Sequence, residues 1–257
     1  MVASVARNAV LVVNTYDVSS QSNDLNLPGS ALTEDITVYG DVAEEFAGTI
    51  QTWSLDYKGL GPFDNLNPLN LDTIVASLLG AIATPFAAMP AGDVLASAGY
   101  AGYLVHIKAN VSSPVKGVVR LDIAGQPGPL PDALVTVTSP AGLGREAVTS
   151  LHSRLTAEIA TGSGSYWDSI AGSTEGAVGY LFVVAVNTLT SLDVAIQDSA
   201  ATIGPWVDVV VFTTATGVTA ERVEETPHTV ARYLRANWTL VGTSATFLVL
   251  VKLMPTP

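Results

Sequence analysis

The chain has 257 residues, of which 48% are hydrophobic and only 13% charged, about half the roughly 25% charged content of ordinary globular domains. A net charge of −12 excludes the clustered Lys and Arg needed to hold nucleic acid by its phosphates, and the lack of cysteine excludes disulfides, thiol nucleophiles and Cys-based metal sites. So little charge implies more apolar surface than one core hides, which points to a large subunit interface.

A membrane is the weaker alternative. The longest uncharged run, residues 73–92, contains Gly80, Pro85 and Pro90, and the other apolar runs are too short to span as helices. Regular ten-residue alternation with aromatic girdles is not evident, and no membrane insertion is expected. Residues 1–7 carry no apolar segment after a basic start, so no secretory leader is expected.

In chain order, residues 9–13 read as a short apolar strand, 17–24 as a polar segment and 25–32, with Pro28 and Gly29, as a loop. Residues 33–39 alternate as a strand, and Gly40-Asp41 signals a turn. Residues 49–57 alternate again, with Trp53, Leu55 and Tyr57 on the face expected to be buried. Together they predict a long hairpin with an acidic tip. Residues 70–80 form the best helix: Asn70 or Asp72 can cap it, Ile74, Val75, Leu78 and Leu79 make an apolar stripe, and Gly80 fits the C′ position.

Residues 103–111 and 116–123 read as paired strands. The run 126–131, with Pro127, Pro129 and Pro131, breaks regular structure and is the expected boundary between a domain at 1–126 and a second at 127–257. The second half predicts strands at 133–138, 154–160, 179–186, 192–198, 206–213, 221–225, 233–240 and 246–253. Short strands at roughly ten-residue spacing predict an antiparallel sandwich or barrel. The fold class is therefore mainly β, with one short helix, a long hairpin and a second β-rich domain.

The chain resembles the major tail tube proteins of long-tailed (siphovirus-type) bacteriophages. Asp35-Ile-Thr-Val-Tyr-Gly-Asp41 is similar to the strand and loop that open the family's long hairpin, and Glu44-Glu-Phe-Ala-Gly48 to its tip. Trp53-Ser-Leu-Asp-Tyr-Lys-Gly-Leu-Gly-Pro-Phe-Asp64 is similar to the returning strand, and residues 72–79 sit where the family places its helix. Residues 191–199, 206–213, 221–224 and 232–244 resemble a β segment near the C-terminal end of such proteins. One departure is length: the simplest members hold one tube domain in about 150 residues or fewer, the size of one compact domain.

The resemblance implies a virion protein, made in the host cytoplasm, that builds rings stacked into the conduit for DNA. Its partners would be copies of itself, as a hexamer or a pseudo-hexameric trimer, and other tail proteins. Thr37, Val38, Tyr39, Phe46, Trp53, Leu55 and Tyr57 are the expected assembly residues. Asp35, Asp41, Glu44, Glu45 and Asp56 are the candidate lumen acids, repelling phosphate so that DNA passes without sticking. An ordinary solvated hairpin face is the plain alternative for these acids.

No catalytic, cofactor or metal site is expected. His106, His152 and His228 fall in separate segments, and no Gly-x-Ser-x-Gly elbow, phosphate loop or dinucleotide fingerprint occurs. His106 is expected to be a hydrogen-bonded packing residue, and residues 162–166 a flexible loop. The rival function is a lectin-like or decorating β-sandwich on a virion or cell surface. Trp53, Trp206 and Trp238 lie in or beside predicted strands, where core packing is the default, which leaves Trp167 as its exposed candidate.

Overall fold

The computed structural model describes residues 9–20, 22–35, 46–60, 71–81, 83–112, 120–127 and 145–254. Its strands are β1 (Val10–Val13), β2 (Tyr16–Asp17), β3 (Ser22–Asn26), β4 (Gly29–Asp35), β5 (Phe46–Trp53), β6 (Leu55–Leu60), β7 (Thr84–Met89), β8 (Ala98–Ser112) and β9 (Arg120–Pro127). They continue as β10 (Arg145–His152), β11 (Gly162–Ser163), β12 (Trp167–Asp168), β13 (Ala177–Ser199), β14 (Val207–Val211), β15 (Thr219–Glu225) and β16 (Tyr233–Leu253). The helix α1 (Leu71–Leu78) is the only one among the described residues. The protein is mainly β, and the paired strands whose register is described run antiparallel.

The compact units differ from the linear division expected at 126/127. One unit comprises Met1–Ser19, Pro85–Ala101 and Glu146–Pro257; the other comprises Ser20–Thr84 and Gly102–Arg145. The first strand and the last hundred residues thus share a core, and the hairpin segment is an insertion into it. The expected break at 126–131 begins inside β9, where Gln126 and Pro127 still pair with Val105 and Leu104. Proline is tolerated at a strand end because the missing N–H interrupts the ladder least there.

The first unit is organised by β13 and β16, which pair from Ala177↔Leu253 to Ser199↔Tyr233. A 23-residue strand would run about 75 Å if straight, yet Leu181 and Ile196 lie in one core. The pair therefore bends and folds its second half over its first. Irregularities at Val183/Ala185 and Leu189/Ser191 mark the bend, where an extra residue turns a strand without ending it. Gly242 is required there: a Cβ on it would lie 2.5 Å from the Thr188 carbonyl oxygen. Two separate strands were expected on each side (179–186 with 192–198, and 233–240 with 246–253); Asn187, Thr188 and Gly242 are turn residues used for a bend.

The middle layer is buried on both faces. Leu181, Val183, Phe247, Val249 and Val251 face one core with Val194, Ile196, Val210 and Phe212. Val178, Tyr180, Phe182, Leu248 and Leu250 face the other with Val10, Val12, Ala87 and Met89. This uses much of the apolar excess that composition assigned to a subunit interface. Strands β7 and β10 were not expected; Pro85 sits at the second position of β7, and β10 is the short partner that follows β16 in the sheet. The strand expected at 154–160 is only a single bridge, Glu158↔Ala245, with Leu155 and Ile159 exposed. The expected strand at 133–138 lies outside the described residues.

The second unit carries the sheet order β3-β6-β9-β8. Helix α1 lies against β9, with Ile74 and Leu78 buried and Gly80 in the left-handed region (φ 78°) that ends the helix. Leu79, expected in the apolar stripe, is exposed instead and bridges His106 through its backbone.

Candidate assembly surface

The long hairpin is real but interrupted. β3 pairs with β6 through Leu25↔Tyr57, and β4 pairs with β5 from Gly29↔Trp53 to Asp35↔Phe46. Residues 25–32, expected as a loop, are strand except at Leu27-Pro28. The expected strand 49–57 breaks at the same level, at Ser54, whose N–H donates to the Pro28 carbonyl (3.1 Å). Beyond that joint, β4 and β5 form a two-stranded sheet of their own, and no other strand among the described residues pairs with either. A two-stranded ribbon is marginal alone in water, and its outer edges present unpaired N–H and C=O groups.

Alternation along β6 sorts its side chains as the sequence predicts. Leu55 and Tyr57 are fully buried with Leu104 and Ile123, so neither offers its side chain to a neighbouring copy. The Tyr57 hydroxyl meets His106 Nε2 at 3.0 Å, edge-on to the ring, and His106 is the hydrogen-bonded packing residue expected. Burial pushes the Tyr57 phenol above its usual range and lowers the His106 imidazole to about 4, so both stay neutral.

The opposite face of the sheet is a shallow groove of about 430 Å³ lined by Asn26, Asp56, Lys58, Lys108 and Asp122. Lys58 and Asp122 are cross-strand partners, and Lys108 lies one strand further on. The face is charge-balanced, so Asp56, which accepts from Ser54 Oγ at 3.3 Å, does not sit in an acidic field.

Of the remaining candidates, Asp35 ends β4, Phe46 opens β5 and Trp53 closes it, all three on the ribbon's backbone. Thr37, Val38, Tyr39, Asp41, Glu44 and Glu45 lie outside the described residues. Large exposed apolar side chains occur in the first unit, among them Ile203 (92% exposed) and Ile170 (82%).

Two buried polar clusters hold the first unit together. Glu146 accepts from Arg222 Nε (3.1 Å), Lys252 Nζ (2.9 Å) and the Tyr180 hydroxyl, while Arg222 also reaches Glu224 (2.8 Å). Burial by itself would raise the Glu146 carboxyl; the hydrogen bonds and charges of Arg222 and Lys252 outweigh it and hold the group below its ordinary value. Arg154 bridges Asp17 (2.7 Å) and the Ser19 hydroxyl (2.9 Å), and its backbone N–H donates to the buried Asp93 carboxylate (2.9 Å). Neither cluster opens a reactive geometry. Among the described residues no group of three His, Cys, Asp or Glu is placed to hold a metal, and no helix is long and apolar enough to cross a membrane.

The aromatic residues depart from expectation. Trp238 is core, as expected, but Trp167 also turns inward against that core, opposite Leu234. Residues 162–163, expected in a flexible loop, are strand β11, with Gly162 seated on the Trp238 ring. The exposed rings are Tyr166 and, half-buried beside it, Trp206. Period two gives the reason: if Trp167 points inward on a strand, Tyr166 and Asp168 point outward.

No protein-family model matches the chain, and no curated protein matches it. Among solved structures it is similar to a chain of the virion of a native gene transfer agent particle, at 11% identity and TM-score 0.39, over 48% of this chain and 93% of that one. It is also similar to the SPP1 Dit (gp 19.1) protein, described as a hub adsorption apparatus of phages infecting Gram-positive hosts, at 10% identity and TM-score 0.34, over 97% and 100%. A chain of the phage p2 baseplate in its activated conformation matches at 9% identity and TM-score 0.32, over 96% and 98%.

Proposed function

We propose that this chain is a structural, non-enzymatic subunit of a long-tailed phage tail that closes into rings through its hairpin. The rings stack as the tail tube and pass DNA without holding it. The observation that carries this reading is the ribbon β4–β5, paired only with itself among the described residues. A neighbouring copy that adds a strand to each edge satisfies those backbone groups, and closure into a ring leaves none open. Exposed apolar side chains and low overall charge favour broad dry contacts within and between rings.

The hairpin and the helix each occur once among the described residues, which favours six copies per ring over a trimer with an internal tube repeat. The first unit, with Glu146–Pro257 as its main part, then serves as an added β domain. Six copies carry six times the −12 of one chain. Asp35, Asp41, Glu44 and Glu45 are proposed for the bore, where fixed negative charge repels phosphate. Asp56 contributes less there, because lysines share its face.

The test is electron microscopy of the purified protein, which should show rings or tubes. Deletion of Asp41 to Gly48, or Trp53→Asp, should leave folded monomers that form neither. Normal tubes from both variants would remove the hairpin's assigned role, and wild-type protein that stays a monomer at high concentration would remove the ring.

A further inference from the structure

The outward face of the folded-over layer in the first unit carries a row of side chains in register across three strands. Asp208 on β14 opposes Gln197 on β13, and Gln197 opposes Arg235 on β16. The row is also chemically continuous. Gln197 Nε2 donates to Asp208 Oδ1 (2.8 Å), and Gln197 Oε1 accepts from both Nε (3.0 Å) and a terminal N–H (2.8 Å) of Arg235. The guanidinium so fixed stands over the Trp206 ring, with Cζ 4.2 Å from the ring centroid. The backbone at Gly204 makes room for that ring: a Cβ there would come within 2.9 Å of Trp206 Cδ1.

Tyr166 stands beside Trp206, with centroids 6.4 Å apart, and meets Tyr233 edge-to-face at 5.5 Å. Next to Tyr233, Arg232 makes a two-point pair with Asp168 (2.7 Å for each bond) and lies 5.2 Å from the Tyr233 ring. Tyr166 is 43% exposed, and both members of the Arg232–Asp168 pair face solvent. Long cationic side chains on a surface ordinarily lose more entropy when fixed than an exposed pair returns. Here two guanidiniums are each held by two hydrogen bonds near an exposed ring, the construction expected of a binding surface whose polar groups are positioned in advance.

We propose that this face binds a neutral glycan chain, with a pyranose ring stacked on Tyr166 and its hydroxyls hydrogen-bonded by the Arg235–Gln197–Asp208 row and the Arg232–Asp168 pair. The charge pattern selects this ligand. The two Arg are balanced by two acids, Asp168 paired with Arg232 and Asp208 joined to Arg235 through Gln197, so the face has no net positive charge for a phosphate or a sulfated chain. Side-by-side donors and acceptors match sugar hydroxyls, which both donate and accept. The binding lies outside the tail-tube reading and does not depend on ring closure.

A printed array of neutral gluco-, galacto-, manno- and rhamno-oligosaccharides, including N-acetylated members, tests it on the full chain, in both assembled and unassembled fractions. Wild type should bind at least one series saturably. Tyr166→Ala and Arg235→Ala should each weaken that binding tenfold or more, with unchanged circular dichroism and melting. Gln197→Met, which keeps the strand but frees the Arg235 guanidinium, should weaken it less. Absence of binding across the array overturns the proposal, as does binding unaltered in both alanine variants. Binding confined to sulfated or carboxylated glycans and lost at high salt overturns it too. Rings without glycan binding would leave the tube reading standing, and glycan binding without rings would leave this one standing.

Discussion

At the scale of single residues, the strongest constraints are buried charges and buried imidazoles. Arg222 is 5% exposed and, with Lys252, keeps Glu146 ionised inside the first unit. Arg222→Ala should cost about 3 kcal/mol in urea unfolding, because it removes the buried cation that Glu146 and Glu224 share and leaves Lys252 as the counter-charge of Glu146. The sign with pH follows from the lowered Glu146 carboxyl. Its contribution is complete above the ordinary carboxylate range and is lost as pH falls toward the folded value, so Glu146→Gln should flatten that part of the acid limb.

His152 acts over a different window. It stacks on Phe247 (4.5 Å) and meets Trp238 at a tilt (4.7 Å), and burial lowers it to about 4 against an opposing pull from Asp93. An unfolded imidazole protonates near 6.5, so stability is full above that pH and declines as pH falls toward about 4, by about 3 kcal/mol in all. His152→Phe, which keeps the stack, should remove this dependence in denaturation curves at pH 7 and pH 4.5. The same slope in wild type and variant would refute it.

At the scale of elements, the bend in β13 and β16 decides the first unit. Gly179 shows how closely the two halves approach: a Cβ there would stand 2.8 Å from Phe212 Cζ, 2.9 Å from Ile196 Cδ1 and 2.9 Å from Val210 Cγ1. Gly179→Ala should therefore cost about 1–3 kcal/mol by overpacking, read as a drop in melting temperature. A neutral result would mean the halves sit further apart. The bend was not legible in the sequence, because Asn187, Thr188 and Gly242 are residues that also end strands. The alternation of Leu55 and Tyr57 was legible, since period two depends only on the strand itself. The inward turn of Trp167 was not, because β12 is two residues long and takes its direction from Leu234 opposite.

For the whole molecule, composition carried a correct physical demand to an incomplete destination. The apolar excess had to be covered, and a middle layer buried on both faces covers much of it within one chain. In the proposed ring, the exposed apolar side chains and the ribbon, which pairs only with itself among the described residues, are left for neighbouring copies. Under the ring proposal, averaged images should show sixfold symmetry. Assembled rings should leave duplex DNA unshifted in a gel at about 0.1 M salt, where screening still leaves fixed charge effective at short range. Retained DNA would argue against an acidic bore.

The sequence by itself determined the β character, the hairpin, the single helix among the described residues, and the acidity. These follow from periodicity, turn residues and charge, which are local or additive properties. Only the tertiary structure decided that the first strand joins the last hundred residues, that two long strands fold over themselves, and that Tyr166 is left more exposed than Trp167. Each of those outcomes depends on which distant strand supplies the facing surface. That choice is made by packing between segments far apart in the chain, where no local pattern reaches.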